Sequence, residues 1–281
     1  MASLDSSVWE FRKSVTRGRM MNRLTIEQIL AAMWQDYLLL NPDAMGIYQL
    51  LSSQNTQLTN DHIALRTFNL PRVDISHLAR PFINAGYRIA GHYEFPFKHL
   101  NAQHFEHPNA QFPKIFISQL LVEQLPESQQ EAIHQLVSQI PEQVIMSDTF
   151  CYSGRHWPIS YDAYQQLATV SDHAAWIYAM GYRPNHFTLL VNTLESHESL
   201  EQVNDFLLAQ GFKLNSAGGL IKGSPDELLE QSSTPVNAVE ISFTDQTVKV
   251  PGCYYEFAQR YKTPEGALYQ GFIAESAGEV F

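Results

Sequence analysis

The sequence predicts an α+β protein made of two copies of a βαβββ unit separated by a helical insertion. Three observations carry that expectation. Residues 62–68 and 186–192 are short, apolar, β-rich runs, and each opens with a histidine. Each run is followed by an amphipathic helix that stops at a glycine, Gly86 or Gly211. Further strand-like runs follow each helix, and a largely helical stretch joins the two halves. The repeat is one of pattern, with little residue identity.

Taken in order, residues 1–23 mix acidic and basic side chains without an apolar core segment. They are expected to be an N-terminal extension rather than a secretory signal, and Met20 or Met21 is a conceivable alternative start. A single catalytic domain is expected over residues 24–281. Ile26, Ile29, Leu30, Met33 and Tyr37 recur at helical spacing behind Thr25, a natural cap. Asn41-Pro42-Asp43 breaks that helix, and a second covers residues 44–52. The first module, about 60–122, holds the strand at 62–68 and the helix at 74–85. Strands at 87–97 and 114–120 complete it, with room for one more inside 99–108. Helices fill the insertion, about 123–183, over 123–138 and 161–180, the latter closed by Gly181. The second module, about 184–261, repeats strand and helix (199–210). Strand-like runs follow at 220–222, 228–234, 239–243 and 253–257.

With 281 residues, 44% apolar and 17% charged, the chain can bury a substantial core. Its net charge of −11 argues against a nucleic-acid partner and against a basic membrane-binding face. No apolar run approaches the ~20 residues that cross a bilayer. Only Cys151 and Cys253 are present, each within an apolar-aromatic context. A disulfide framework is not expected, and a reducing cytoplasm is. There is neither a G-x-S-x-G nor a G-x-x-x-x-G-K-[ST] pattern, so serine-hydrolase and phosphate-loop readings have no support.

The chemistry rests on His62, His186 and Glu256, one from each of three strand-like runs. Two imidazoles and one carboxylate are the ligand set of a non-haem iron(II) site. Residues two apart on a strand share a face, so an inward His62 brings Ala64, Arg66 and Phe68 with it. Inward His186 brings Thr188, and inward Glu256 brings Tyr254 and Ala258. Plainer roles stay open on the residues alone. A histidine opening a strand can cap or face solvent, Arg66 can pair with an acid, and Glu256 can sit on an exposed edge. His99, His104 and His107 form a competing cluster, at spacings that fit no common zinc pattern.

Several segments together resemble the 2-oxoadipate dioxygenase/decarboxylase family, long catalogued as a domain of unknown function. They are Asn60-Asp61-His62-Ile63-Ala64-Leu65-Arg66-Thr67-Phe68, Asn185-His186-Phe187-Thr188, and Lys222-Gly223-Ser224-Pro225 with residues 229–234. Pro251-Gly252-Cys253-Tyr254-Tyr255-Glu256-Phe257 through Tyr261, Ala174-Ala175-Trp176 and Leu268-Tyr269-Gln270-Gly271-Phe272 complete the set. The family is similar to the vicinal oxygen chelate superfamily, in which βαβββ modules pair into a half-open β-barrel around a metal. The resemblance implies Fe(II) held by His62, His186 and Glu256, with zinc or nickel possible in isolated protein. It implies Arg66 as the catalytic-site residue that grips a substrate carboxylate; Gln231, Ser233 and Tyr254 are further candidates for the pocket. The implied substrates are a 2-oxo acid and dioxygen. For 2-oxoadipate the product is 2-hydroxyglutarate, in lysine catabolism. The competing readings are a redox-neutral, glyoxalase-like isomerase or epimerase and a non-catalytic small-molecule binder. Residues 114–118 of the first repeat offer no acid to fill a fourth metal position, which favours an open site.

Overall fold

A computed structural model describes residues 23–273, so the expected N-terminal extension lies almost wholly outside the described residues. Eight strands form one curled sheet in the order β2-β3-β4-β1-β5-β10-β7-β6. The first module supplies β1 (Asn60–Phe68), β2 (Arg88–Phe95), β3 (Leu100–Glu106) and β4 (Lys114–Leu120). The second supplies β5 (Pro184–Leu190), β6 (Lys222–Ser224), β7 (Leu229–Ser233) and β10 (Tyr254–Arg260). Within each module the first strand pairs parallel to the last, β1 with β4 and β5 with β10. The modules join where β1 meets β5 antiparallel. The strand order is therefore a near mirror about that seam, which is the paired-module half-barrel of the vicinal oxygen chelate type.

Helices cover the convex face. Helix α1 (Ile26–Leu40) starts in a capping box between Thr25 and Gln28. It lays Trp34 and Tyr37 on Phe187, with ring centroids 4.9 and 5.0 Å away. The Tyr37 hydroxyl also donates to the Tyr254 carbonyl at 2.6 Å and so pins the start of β10. Alternation then decides the rest. Ile63, Leu65, Phe187, Leu189, Tyr255 and Phe257 join the core on the convex side. Their neighbours in sequence turn to the concave side.

Two expectations need correction. The helical stretch 161–180 is two helices, Tyr161–Ala168 and Asp172–Met180, because the Ser171 side chain accepts from the Ala174 N–H and caps a new start. Residues 239–243 do not enter the barrel sheet. Residues 239–242 lie in β8 (Ala238–Ser242), which pairs only with β9 (Thr247–Pro251) as a separate hairpin, and Phe243 follows it. After Met180 the chain turns into β5 through Gly181 at φ +77, where a Cβ would meet the Gly154 carbonyl carbon at 2.3 Å.

Candidate metal centre and substrate cavity

The registers across the seam arrange the concave side chains in rows. His62, Thr188, Glu256 and Ser233 lie side by side on β1, β5, β10 and β7. The next row holds Phe116, Ala64, His186 and Tyr254, and the one beyond it holds Ser118 and Arg66. His62, His186 and Glu256 are 3%, 2% and 1% exposed, so Glu256 is no edge-strand surface residue. One ligand atom from each lies within 4.8 Å of the others. The His62 and His186 Nε2 atoms are 3.4 Å apart, and His62 Nε2 is 3.4 Å from Glu256 Oε1.

The residues present fit a metal ion. Asp61 Oδ1 lies 2.8 Å from His62 Nδ1, and a carboxylate can only accept there, so Nδ1 carries the proton. Asn185 Oδ1 does the same for His186 Nδ1 at 3.0 Å. Burial, with His62 and Arg66 nearby, drives the His186 pKa far below its ordinary value and keeps that ring neutral. With each Nδ1 held by its Asx neighbour, both Nε2 atoms are left to face each other and a carboxylate oxygen, an arrangement suited to a cation. Donors roughly 2.0–2.2 Å from a common ion sit about 3–3.5 Å apart at ordinary coordination angles, close to the spacings seen.

Surrounding groups fix this set. Thr188 and Gln231 donate to Glu256 Oε1 at 3.0 and 2.6 Å. Burial raises the Glu256 pKa, opposed by His62 and by these two hydrogen bonds. Beneath His62, Arg260 Nε and Nη2 donate to Asp61 at 2.5 and 2.8 Å. Burial alone would raise the Asp61 carboxyl, but Arg260 and His62 together outweigh it and hold the group well below the usual carboxylate range. The Arg260 guanidinium also donates to the carbonyls of Tyr269 and Gly271. Phe272 then stands edge-on to His62 at 4.8 Å.

A cavity of about 400 Å³ has Arg66, Phe116, Ser118, Trp176, Asn185 and Tyr254 among its walls, and two of these, Asn185 and Tyr254, contact the His186 ring. The Arg66 guanidinium lies over the Trp176 ring at 5.3 Å. Trp176 is itself fixed by donating to the Gly252 carbonyl at 2.7 Å. Ala64, the smallest residue of its row, stands between His62 and Arg66 on β1 and leaves space there. Tyr254 stacks on His186 at 4.5 Å.

The structure thus brings His62, His186, Glu256, Arg66 and Tyr254 together. Gln231 serves the Glu256 carboxylate, and Ser233 borders a separate small recess with Asn215 and Lys222. The competing histidines do not converge. His99 faces Gln124, His104 sits between Tyr93 and Glu106, and His107 contacts the Ala85 carbonyl. By the repeat, Phe116 occupies the place in the first module that Glu256 occupies in the second, so that position contributes no fourth ligand. Sequence reasoning found Thr188 on the inward face and missed the roles of Asp61, Asn185, Arg260 and Phe272. One signal was available: an Asx–His pair opens both β1 and β5, Asp61-His62 and Asn185-His186.

Comparison with known proteins agrees with this geometry. The family described as 2-oxoadipate dioxygenase/decarboxylase matches residues 25–151 and 142–280. A 2-oxoadipate dioxygenase/decarboxylase of Arabidopsis thaliana, named as chloroplastic, is 36% identical over 254 residues, covering 84% of this chain and 68% of the relative. The crystal structure of hydroxyglutarate synthase from Oryza sativa in complex with 2-oxoadipate is 32% identical. It aligns with a TM-score of 0.82 over 90% of this chain and 89% of its own. A Shewanella frigidimarina NCIMB 400 structure, described provisionally as a hydrolase, is 49% identical with a TM-score of 0.85, over 88% and 96% of the two chains. The chain belongs to the 2-oxoadipate dioxygenase/decarboxylase family.

Proposed function

We propose that the protein is an iron(II)-dependent oxygenase acting on a 2-oxo dicarboxylic acid, with 2-oxoadipate the preferred substrate. The reaction consumes one dioxygen, releases carbon dioxide and yields the 2-hydroxy acid one carbon shorter, here 2-hydroxyglutarate. The observation that carries the reading is the pairing of a buried His-His-Glu donor set with a cavity whose wall bears a stacked arginine. The Oryza sativa relative solved with 2-oxoadipate supports the substrate class.

His62, His186 and Glu256 would hold the metal, which when bound supplies the activation of dioxygen and the oxidation of the 2-oxo carbon. Arg66 binds the substrate's far carboxylate through two parallel hydrogen bonds, and Trp176 keeps its guanidinium plane in place. Phe116 and Phe272 present apolar rings at the first module's side of the site and limit water there. Thr188 and Gln231 donate to Oε1 of the Glu256 carboxylate and fix its orientation beside the two imidazoles. A single catalytic domain, a place in lysine breakdown and a cytoplasmic setting belong to the same proposal. The buried, unpaired Cys151 and Cys253 suit a reducing compartment.

Iron is favoured by the ligand set, although zinc or nickel competes well for nitrogen-rich sites during isolation. Anaerobic reconstitution of metal-free protein with each ion, followed by oxygen-electrode assays on a panel of 2-oxo acids, tests the proposal. Uptake with iron and 2-oxoadipate is the expected result. Activity with zinc and no oxygen consumption would replace the oxygenase by a redox-neutral enzyme.

A further inference from the structure

Among the polar groups on the cavity walls, one that the assignment above does not use is both buried and unpartnered among the described residues. Tyr254 is 3% exposed, and its hydroxyl has no hydrogen-bond partner among the described residues. Other buried groups share that condition, among them the hydroxyls of Tyr182 and Tyr255, but neither of those residues borders the cavity. A buried hydroxyl left without a partner is unfavourable, and at the cavity wall a bound ligand can supply that partner. The ring cannot easily swing away to find a partner. It is stacked on His186 with an interplanar angle of 27°, and the Tyr254 backbone is held by the Tyr37 hydroxyl.

Its place in the rows says which part of a ligand it meets. Tyr254 shares a row with His186 and Ala64, beside the metal donors. Arg66 is one row further along β1, past Ala64. A 2-oxo dicarboxylate that spans from the donors to Arg66 lays its keto and adjoining carboxylate oxygens beside Tyr254 and its far carboxylate at Arg66. We infer that the Tyr254 hydroxyl is a hydrogen-bond donor to the 2-oxo-carboxylate head of the substrate, and that Arg66 alone among these two reads the far end. The inference rests on the functional reading above. It divides recognition into a head-group contact common to all 2-oxo acids and a tail contact specific to dicarboxylates.

Tyr254→Phe removes the oxygen and keeps the stacked ring. The test is anaerobic calorimetry on zinc-loaded protein with 2-oxoadipate and with 2-oxobutyrate, alongside metal content and melting temperature. The expected result is unchanged metal content and folding, with binding of both acids weakened about tenfold or more, the worth of one hydrogen bond to a charged group. Arg66→Lys should weaken 2-oxoadipate only. Equal binding by wild type and Tyr254→Phe, a loss confined to 2-oxoadipate, or a loss of metal would each overturn the inference. Wild-type protein that binds neither acid would overturn the functional reading, and this inference with it.

Discussion

Asp61→Asn is the most informative single change outside the ligands. Asp61 is buried at 3% exposure and takes three contacts, two from Arg260 at 2.5 and 2.8 Å and one from His62 Nδ1 at 2.8 Å. An amide retains one acceptor oxygen but turns an N–H group toward a donor, and it removes the charge opposite Arg260. Breaking one side of a buried ion pair costs about 3–5 kcal/mol. Arg260 keeps the Tyr269 and Gly271 carbonyls at 3.0 and 2.8 Å, so the lower end, about 3 kcal/mol, is expected. In a chain of this length that corresponds to a melting-temperature loss of roughly 6–12 °C. His62 would also lose its anionic support, and metal affinity should fall about 10- to 100-fold. Urea unfolding of metal-free protein reads the first effect, and competition with a chelator reads the second. Adding Arg260→Met should recover stability but not metal affinity. If Asp61→Asn loses stability while binding metal as tightly as wild type, the argument that Asp61 orients His62 is wrong.

Arg66→Lys keeps a charge but loses the planar fork and the Trp176 stack. The dissociation constant for a 2-oxo dicarboxylate should rise about 10- to 100-fold with metal content unchanged. Altered melting temperature with unchanged kinetics per folded molecule would instead make Arg66 a structural residue. His173 governs an acid-sensitive part of the stability. Its Nε2 lies 2.9 Å from the Thr67 carbonyl, and burial, with Arg66 nearby, lowers its pKa from 6.5 to about 3. Below about pH 6.5 the unfolded chain takes up a proton that the folded one refuses, so stability falls as pH drops toward 3. The loss reaches roughly 5 kcal/mol at most. His173→Gln, which keeps an N–H donor, should flatten that slope in urea unfolding between pH 7 and 4; an unchanged slope would exclude His173 as the cause.

The two histidines could be found in the sequence because each opens the first strand of a repeated strand–helix–glycine unit. The repeat makes equivalence visible without any local motif. Glu256 stood out as one carboxylate in an otherwise apolar run, Tyr254-Tyr255-Glu256-Phe257-Ala258, that is buried on both faces of a central strand. The departure of residues 239–243 from the barrel was less visible, since alternation specifies a strand but not its partner. A clue was present: Val239-Glu240-Ile241-Ser242 alternates apolar with polar as a half-exposed hairpin does, unlike β10. Arg260 was beyond reach. Its partner Asp61 is 199 residues away, and a lone basic residue at a strand end reads as surface. Gln231 is a candidate pocket residue from the sequence, whereas the register sets it opposite Ala258, near enough to Glu256 for its amide to bind the carboxylate.

The central claim is that one active site joins dioxygen to a 2-oxo dicarboxylate. Turnover of 2-oxoadipate by the iron-reconstituted protein under ¹⁸O-labelled dioxygen, with mass analysis of the product, tests it most directly. The account predicts equal amounts of oxygen consumed and carbon dioxide released, and 2-hydroxyglutarate carrying two labelled oxygens, one in the new carboxylate and one in the hydroxyl. An unlabelled product, or turnover without oxygen consumption, would contradict it.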